Sequence, residues 1–209
     1  MDTDARQHSP AAERNRGPIL AELQRLLPAR GVLLEVASGT GQHAAHCAAA
    51  LPGWTWWPSD PEPRSRASIL AWCEGLANVL PPLALDVLAE PWPGVPERLD
   101  AVYCANMLHI SPWATCAALM RGAAHRLRAG GWLLLYGPYL VDGETTAPGN
   151  QAFDADLRQR DPRWGLRRLG DVQAEALGVG LQLRERITMP ANNLLLVFQA
   201  GSSARGPVA

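Results

Sequence analysis

Val32-Leu33-Leu34-Glu35-Val36-Ala37-Ser38-Gly39-Thr40-Gly41 begins as an apolar run and ends in two glycines one residue apart. Such a run reads as a buried parallel strand feeding a tight turn. Gly39 and Gly41 tolerate backbone angles closed to residues with a Cβ, so main-chain N–H groups can approach a ligand before a helix begins near Gln42. Gly39-Thr40-Gly41-Gln42-His43-Ala44 also satisfies the loose G-x-G-x-x-A form of the dinucleotide fingerprint. Glu35 separates the two ligand classes that use this kind of turn. A pyrophosphate favours helix-end N–H groups with no negative charge nearby. An amino-acid-bearing nucleoside such as S-adenosylmethionine (SAM) brings an ammonium that a carboxylate neutralises. The adenosyl-amino-acid reading is preferred, with a nicotinamide dinucleotide as the alternative.

At 209 residues and 47% hydrophobic, the chain suits one globular domain over residues 1–209. No apolar run is long enough to cross a bilayer, and Met1 to Gly17 is polar, unlike a secretory signal. A soluble cytoplasmic protein without a membrane partner is expected. The net charge of -1 and the sequence pI near 6.5 leave no electrostatic footprint for nucleic acid. All 19 basic residues are arginine. The lack of lysine excludes lysine Schiff bases and a Walker-type phosphate lysine. Cys47, Cys73, Cys104 and Cys116 form no C-x-x-C pair and read as buried thiols of a reducing compartment.

Helical spacing of Ile19, Leu20, Leu23, Leu26 and Leu27 predicts a helix over Ala11 to Leu27. Strands are predicted at Val32 to Ala37, Trp54 to Trp57, Leu83 to Leu85, Leu99 to Ala105 and Trp132 to Tyr136. The helices between them are Gln42 to Leu51, Arg64 to Glu74 and Pro112 to Leu127, the last with proline in its first turn. Asp171 to Leu177 reads as helical, and Leu181 to Thr188 and Asn193 to Gln199 as a closing pair of strands. Alternation of strand and helix implies right-handed crossovers and a parallel sheet covered on both faces. Met189-Pro190-Ala191-Asn192 is too short for a crossover helix, so the final pair should be antiparallel. The expected fold is a Rossmann-like, doubly wound α/β domain of seven strands, mostly parallel, with an antiparallel last strand. Residues 1–31 form an N-terminal helical segment over the cleft, and 137–170 is too long for a plain connection and reads as a lid. Met1 to about Gln7 and Ser202 to Ala209 read as loose tails.

From Val32 to Gln199 this pattern resembles the class I SAM-dependent methyltransferases. Ser9-Pro10-Ala11-Ala12-Glu13-Arg14-Asn15, Trp57-Pro58-Ser59-Asp60, Asn106-Met107-Leu108-His109-Ile110 and Gly137-Pro138-Tyr139 resemble the small family that includes methyltransferase-like protein 26, whose substrate is unsettled. The resemblance implies SAM as methyl donor and S-adenosylhomocysteine as product. One departure is Ala37, where many class I enzymes have glycine; a slightly wider loop is expected there.

Ligands of open α/β sheets sit outside the carboxyl ends of the strands. Glu35, Ser38, Gly39, Thr40 and Gly41 are accordingly placed around the amino-acid end of the cofactor. Asp60, after the second strand, can accept both ribose hydroxyls, with a turn aspartate as the plainer role and Glu62 as substitute. Asp86 and Val87 stand where related enzymes hold the adenine, though Asp86 also suits a turn cap. Asn106, Met107 and Leu108 should lie along the methionine and ribose. Contact of His43 with ligand is left open.

Methyl transfer asks the protein to align nucleophile, carbon and leaving sulfur, and where needed to remove a proton. His109 is the candidate base, with a role in orienting the next helix as the alternative. Tyr139 places a phenol at the same rim. Arg14 and Asn15, near the chain's start, and Asn150, Phe153 and Asp154, in the lid, are candidate acceptor contacts. His43, His46 and Cys47 share one helix, but no distant ligand completes a metal site, and helix packing is preferred. Arg163, Arg167 and Arg168 suit either an anionic substrate or a solvated surface. The leading expectation is methyl transfer from SAM to an O, N or S atom of a small molecule by a monomer or homodimer. The alternatives are an NAD(P)-dependent oxidoreductase, which would lack a Tyr-x-x-x-Lys pair, and a SAM-binding protein without turnover.

Overall fold

In the computed structural model, which describes residues 4–201, the apolar run after Arg30 forms β1 (Gly31–Val36), its last four residues buried. Parallel β2 (Trp54–Pro58) lies beside it, Gly31 opposite Trp54 and Glu35 opposite Pro58. Trp54 and Trp56 alternate inward along β2 and are almost fully buried, which gives this short strand an apolar payload large for its length. The remaining strands are β3 (Leu99–Ala105), β4 (Leu127–Gly137), a two-residue β5 (Tyr139–Leu140), a two-residue β6 (Arg167–Arg168), β7 (Leu181–Met189) and β8 (Asn193–Ala200). Six of them hydrogen-bond in the order β2-β1-β3-β4-β8-β7 in a mostly parallel sheet. β8 runs antiparallel to β7, as the short Met189–Asn192 connection requires, and also antiparallel to β4. Contacts divide the chain at Tyr103–Cys104 into two compact units.

Six strands, not the expected seven, make the main sheet. Leu83 to Leu85 forms no strand, and its segment meets β2 only through isolated parallel bridges, Trp56 to Val79 and Ser59 to Leu83. Proline is the reason. Pro58 in β2 has no N–H to give, and Pro81-Pro82 opposite have none either, so the ladder breaks between Leu80 N–H→Trp56 O (2.9 Å) and Leu83 N–H→Pro58 O (2.9 Å).

The helices are α1 (Pro10–Leu26), α2 (Gln42–Ala50), α3 (Pro63–Trp72), α4 (Ala114–Arg126), α5 (Pro148–Arg160) and α6 (Leu169–Gly178). Ser9 caps α1, its Oγ accepting the Ala12 N–H at 3.3 Å with Pro10 in the first turn. Pro112, expected inside the fourth helix, lies before it, and Leu127, expected as its end, begins β4. Residues 137–170 hold β5, α5 and β6, with β5 and β6 paired in parallel as a separate ribbon. The N-terminal tail is shorter than expected. Gln7 donates its N–H to Ser68 Oγ (2.7 Å) and accepts the Trp72 indole N–H (2.9 Å), while Arg6 stacks over Trp72. The other residues expected as tails, Met1 to Thr3 and Ser202 to Ala209, lie outside those described. No disulfide joins the four cysteines, all buried. Among the described residues no helix is long and apolar enough to cross a membrane.

Gly53 ends the turn that returns the chain to β2, and a Cβ added there would fall 2.2 Å from the Ala29 carbonyl oxygen. Gly53→Ala is therefore expected to cost about 2 kcal/mol or more. A urea titration checks it; an unchanged midpoint at unchanged slope would show that residues 29–31 move aside freely.

Candidate functional site

The turn after β1 is built from left-handed residues: Ala37 at φ 55°, Gly39 at 58° and Gly41 at 87°. Ala37 keeps a glycine-like angle instead of widening the loop, at a steric cost of about 1–2 kcal/mol. The two glycines have different reasons. A Cβ on Gly41 would meet Ile69 Cα of α3 at 2.7 Å, so this position admits a close helix; one on Gly39 would find nothing nearer than Ala37 O at 4.0 Å. Gly39 therefore leaves open space beside its backbone.

That turn is stitched to the one after β2. Ser38 N–H donates to Ser59 O (2.8 Å), Ser59 N–H to Ser38 Oγ (3.2 Å) and Ser59 Oγ to Glu35 O (2.8 Å). Asp60, 6% exposed, accepts Gly39 N–H on Oδ2 (3.0 Å) and Glu62 N–H on Oδ1 (3.0 Å). Each carboxylate oxygen keeps a second lone pair, the acceptor set that a vicinal diol such as a ribose needs. Glu62 itself is exposed at the start of α3.

Glu35 is 2% exposed and its Oε2 accepts the Trp56 indole N–H at 2.7 Å. Burial, aided by the nearby Asp60 charge, pushes its pKa up to about 8. The expectation of a standing negative charge is corrected accordingly: at neutral pH the carboxyl of the free protein is largely protonated, and a cation placed against it would draw the proton off.

Three residues that sequence reasoning missed hold this cradle. Gln42 Oε1 accepts Ser9 N–H (2.6 Å) and the Thr40 hydroxyl (3.1 Å), while its Nε2 donates to Glu13 (3.1 Å). Ser68 Oγ donates to Thr40 O at 2.7 Å, and Ser59 makes the stitch described above. Ser59 and Gln42 stood inside quoted motifs and were legible as positions, but not as partners; Ser68 had no signal.

The other predictions in residues 4–103 divide. Arg14 is exposed on α1, and Asn15, on the same helix, is turned inward: its Oδ1 lies 2.6 Å from His43 Nε2, and His43 Nδ1 lies 3.5 Å from the Tyr103 hydroxyl. Asn15 thus holds a buried histidine. Burial drops the His43 pKa to about 4, so the ring is neutral and serves as both donor and acceptor. Among the described residues no group of three His, Cys, Asp or Glu side chains is placed to hold a metal ion. Asp86 is exposed and accepts Leu88 N–H at 2.9 Å, the turn-capping role; Val87 beside it is buried.

In residues 104–201, Asn106 follows β3 at φ 58° and gives its N–H to Tyr136 O at 2.9 Å. A Cβ on Gly137 would meet His109 Nδ1 at 3.5 Å and Asn106 Oδ1 at 3.8 Å, so both side chains rest over the end of β4. Leu108 and His109 are buried in a single 3₁₀ turn, and Met107 is partly exposed. Phe153 of α5 packs edge-on against His109 with ring centroids 5.4 Å apart, and Gly165 N–H donates to His109 O at 3.0 Å. Burial, and next the Arg167 charge, lower the His109 pKa to about 4. Tyr139 is buried too, which raises its pKa well above the ordinary value. Asn150 donates to Asn192 O at 3.0 Å, tying α5 to the β7–β8 turn. Asp154 accepts Leu166 N–H at 2.7 Å.

A family described as a protein of unknown function (DUF938) matches residues 6–200. The chain belongs to that family. Among solved structures, this DUF938 member is similar to human N-acetylserotonin methyltransferase in complex with SAM, at 16% identity and TM-score 0.74 over 90% of this chain and 52% of that one. It is similar to the mitomycin 7-O-methyltransferase MmcR at 15% identity and TM-score 0.77, over 91% and 54% of the two chains. An O-methyltransferase family 2 protein from Planctomyces limnophilus, in complex with apigenin, matches at 20% identity and TM-score 0.71, over 95% and 63%. The DUF938 chain spans 52–63% of these longer proteins, and at such identities the likeness shows a shared Rossmann-like α/β fold alone.

Glu35 gives the site a pH signature. The folded carboxyl keeps its proton to about pH 8 while the unfolded one loses it near 4.5, so the fold loses stability as pH rises through that window. His43 and His109, lowered to about 4, act in the opposite sense only below about 6.5. Between pH 6.5 and 8 Glu35→Gln should therefore flatten a downward slope seen in the wild type, by denaturant titration at stepped pH. Parallel slopes would show that Glu35 ionises normally.

Proposed function

We propose that the chain is a SAM-dependent methyltransferase acting on an O, N or S atom of a small molecule, with residues 1–209 serving as one domain. The observation that carries the reading is the turn Ala37–Gly41: left-handed backbone, open space at Gly39, and a buried Asp60 with spare acceptor capacity bound to the Gly39 N–H. The class I fold of the solved structures named above supports it. The quoted Ser9–Asn15, Trp57–Asp60, Asn106–Ile110 and Gly137–Tyr139 stretches further favour kinship with methyltransferase-like protein 26.

In this reading Asp60 accepts the ribose hydroxyls, and Ser38, Thr40 and the glycines shape the amino-acid end. Glu35 meets the ammonium and releases its proton as it does so. Asp86 and Val87 are proposed for the adenine, and Asn106, Met107 and Leu108 as further cofactor contacts. SAM, when bound, supplies an activated methyl group for in-line displacement. His109 and Tyr139 stay protonationally inert near neutral pH: the first is too weak a base and the second holds its proton. The acceptor is then one whose nucleophile attacks without a protein base and gives up any proton to solvent after transfer. His109 acts by holding Phe153 and Gly165 in place. The same inertness favours a second reading, a SAM-binding protein without turnover.

Calorimetry with SAM, NAD and NADP tests the first step. SAM should bind, with proton release at pH 7, and Asp60→Asn should weaken it about tenfold, as expected for loss of charge-assisted hydrogen bonds. Binding of a dinucleotide in preference to SAM would overturn the reading. A mass search of cell extract for metabolites gaining about 14 daltons separates turnover from binding alone, since the methyl donor fixes that increment.

A further inference from the structure

We propose that the hollow beside β6 binds the oxyanion of a small organic ligand, a carboxylate or phosphate monoester with an apolar body. The hollow measures about 430 Å³, within the range of small-molecule sites. Its charged lining is unbalanced: Arg158, Arg167 and Arg168 face it with only Asp171 of opposite sign.

Arg167 is the centre of the argument. It is half-buried, and its guanidinium donates only to neutral carbonyls: Nε to Leu108 O (2.9 Å), Nη2 to Arg163 O (2.9 Å) and to Ser111 O. Among the described residues it has no ion pair, and Nη1 takes part in none of these bonds. A partly desolvated cation without a counter-ion is costly, and an anion in the hollow would relieve it. The Arg167 pKa is lowered chiefly by burial, with Arg158 adding repulsion and Cys116 and Asp154 pulling the other way without reversing it. Arg158 and Arg168 are held by Asp154 (2.9 Å) and Asp142 in exposed pairs. Such pairs are worth at most about 1 kcal/mol, so both guanidiniums can turn toward a stronger anion. The apolar body has its own wall. Trp113, whose ring lies 5.8 Å from the Arg167 guanidinium carbon, stands with Leu140 and Leu166 in the same lining.

This site does not depend on the methyl-donor reading, and its test omits SAM. The probes are phenyl phosphate, benzoate, inorganic phosphate and benzyl alcohol, titrated by calorimetry. Phenyl phosphate or benzoate should bind at least about tenfold tighter than inorganic phosphate, and the neutral alcohol should not bind. Which anion wins tells a phosphate ester from a carboxylate. The double variant Arg158→Gln with Arg168→Gln, both exposed and outside the candidate cofactor cradle, should weaken binding by about tenfold or more while leaving circular dichroism and the urea midpoint unchanged. High salt should weaken it as well. No anion binding, equal binding of benzyl alcohol, equal binding of inorganic phosphate, or an unaffected double variant would each overturn the proposal.

Discussion

The hydrogen bond from Gly39 N–H to the Asp60 carboxylate, with the Ser38–Ser59 stitch beside it, fixes the candidate cofactor cradle. It ties the turns that follow two adjacent parallel strands, so neither can move without the other. Everything nearby is arranged to keep that junction in one geometry. Gly41 lets α3 approach, Ser68 of α3 reaches back to Thr40, and Gln42 draws the Ser9 cap of α1 onto the same turn. A recognition surface made of main chain needs such support, because its N–H groups point usefully only while the strained angles at Ala37, Gly39 and Gly41 persist.

Burial dominates the chemistry of the titratable groups. Glu35, His43, His109 and Tyr139 are all pushed toward their neutral forms, and in each the largest cause is desolvation. Neutral groups are cheap to bury when hydrogen-bonded, and the Trp56 indole and Asn15 amide supply such bonds. A protein that only positions an already activated group has little need of an ionised base. A buried acid that ionises only against a cation also adds selectivity: an anionic ligand would find no compensating charge change at Glu35.

What the sequence disclosed follows from the range of the interactions involved. The β1 run, the α1 spacing and the short Met189–Asn192 connection are local patterns, and each produced the expected element. Leu83 to Leu85 misled because apolar content was weighed above the missing donors of Pro58, Pro81 and Pro82, which are non-local partners. α5 was hidden since its only regular apolar pair is Phe153 and Leu157, and only Leu157 is buried, leaving almost no amphipathic signal. At the site, positions were legible where backbone strain demands glycine or where a strand ends. Partners were not: Asn15 with His43, or Ser68 with Thr40, lie 28 residues apart in each case, and nothing in either stretch names the other.

Arg167 shows why residue type alone could not separate substrate binding from a solvated surface in residues 137–170. Its neighbours Arg163 and Arg168 pair with Asp161 and Asp142 in the open, where such pairs contribute little. Arg167 instead gathers the carbonyls of Leu108, Ser111 and Arg163, fastening β6 to the segment that carries His109. That fastening uses Nε and Nη2 of the guanidinium but, among the described residues, gives it no ion pair. Had fastening been its whole purpose, a neutral donor would have served without the desolvation cost. A positive charge kept where it is partly buried, beside two further guanidiniums, is explained when an anion is part of the site's working state.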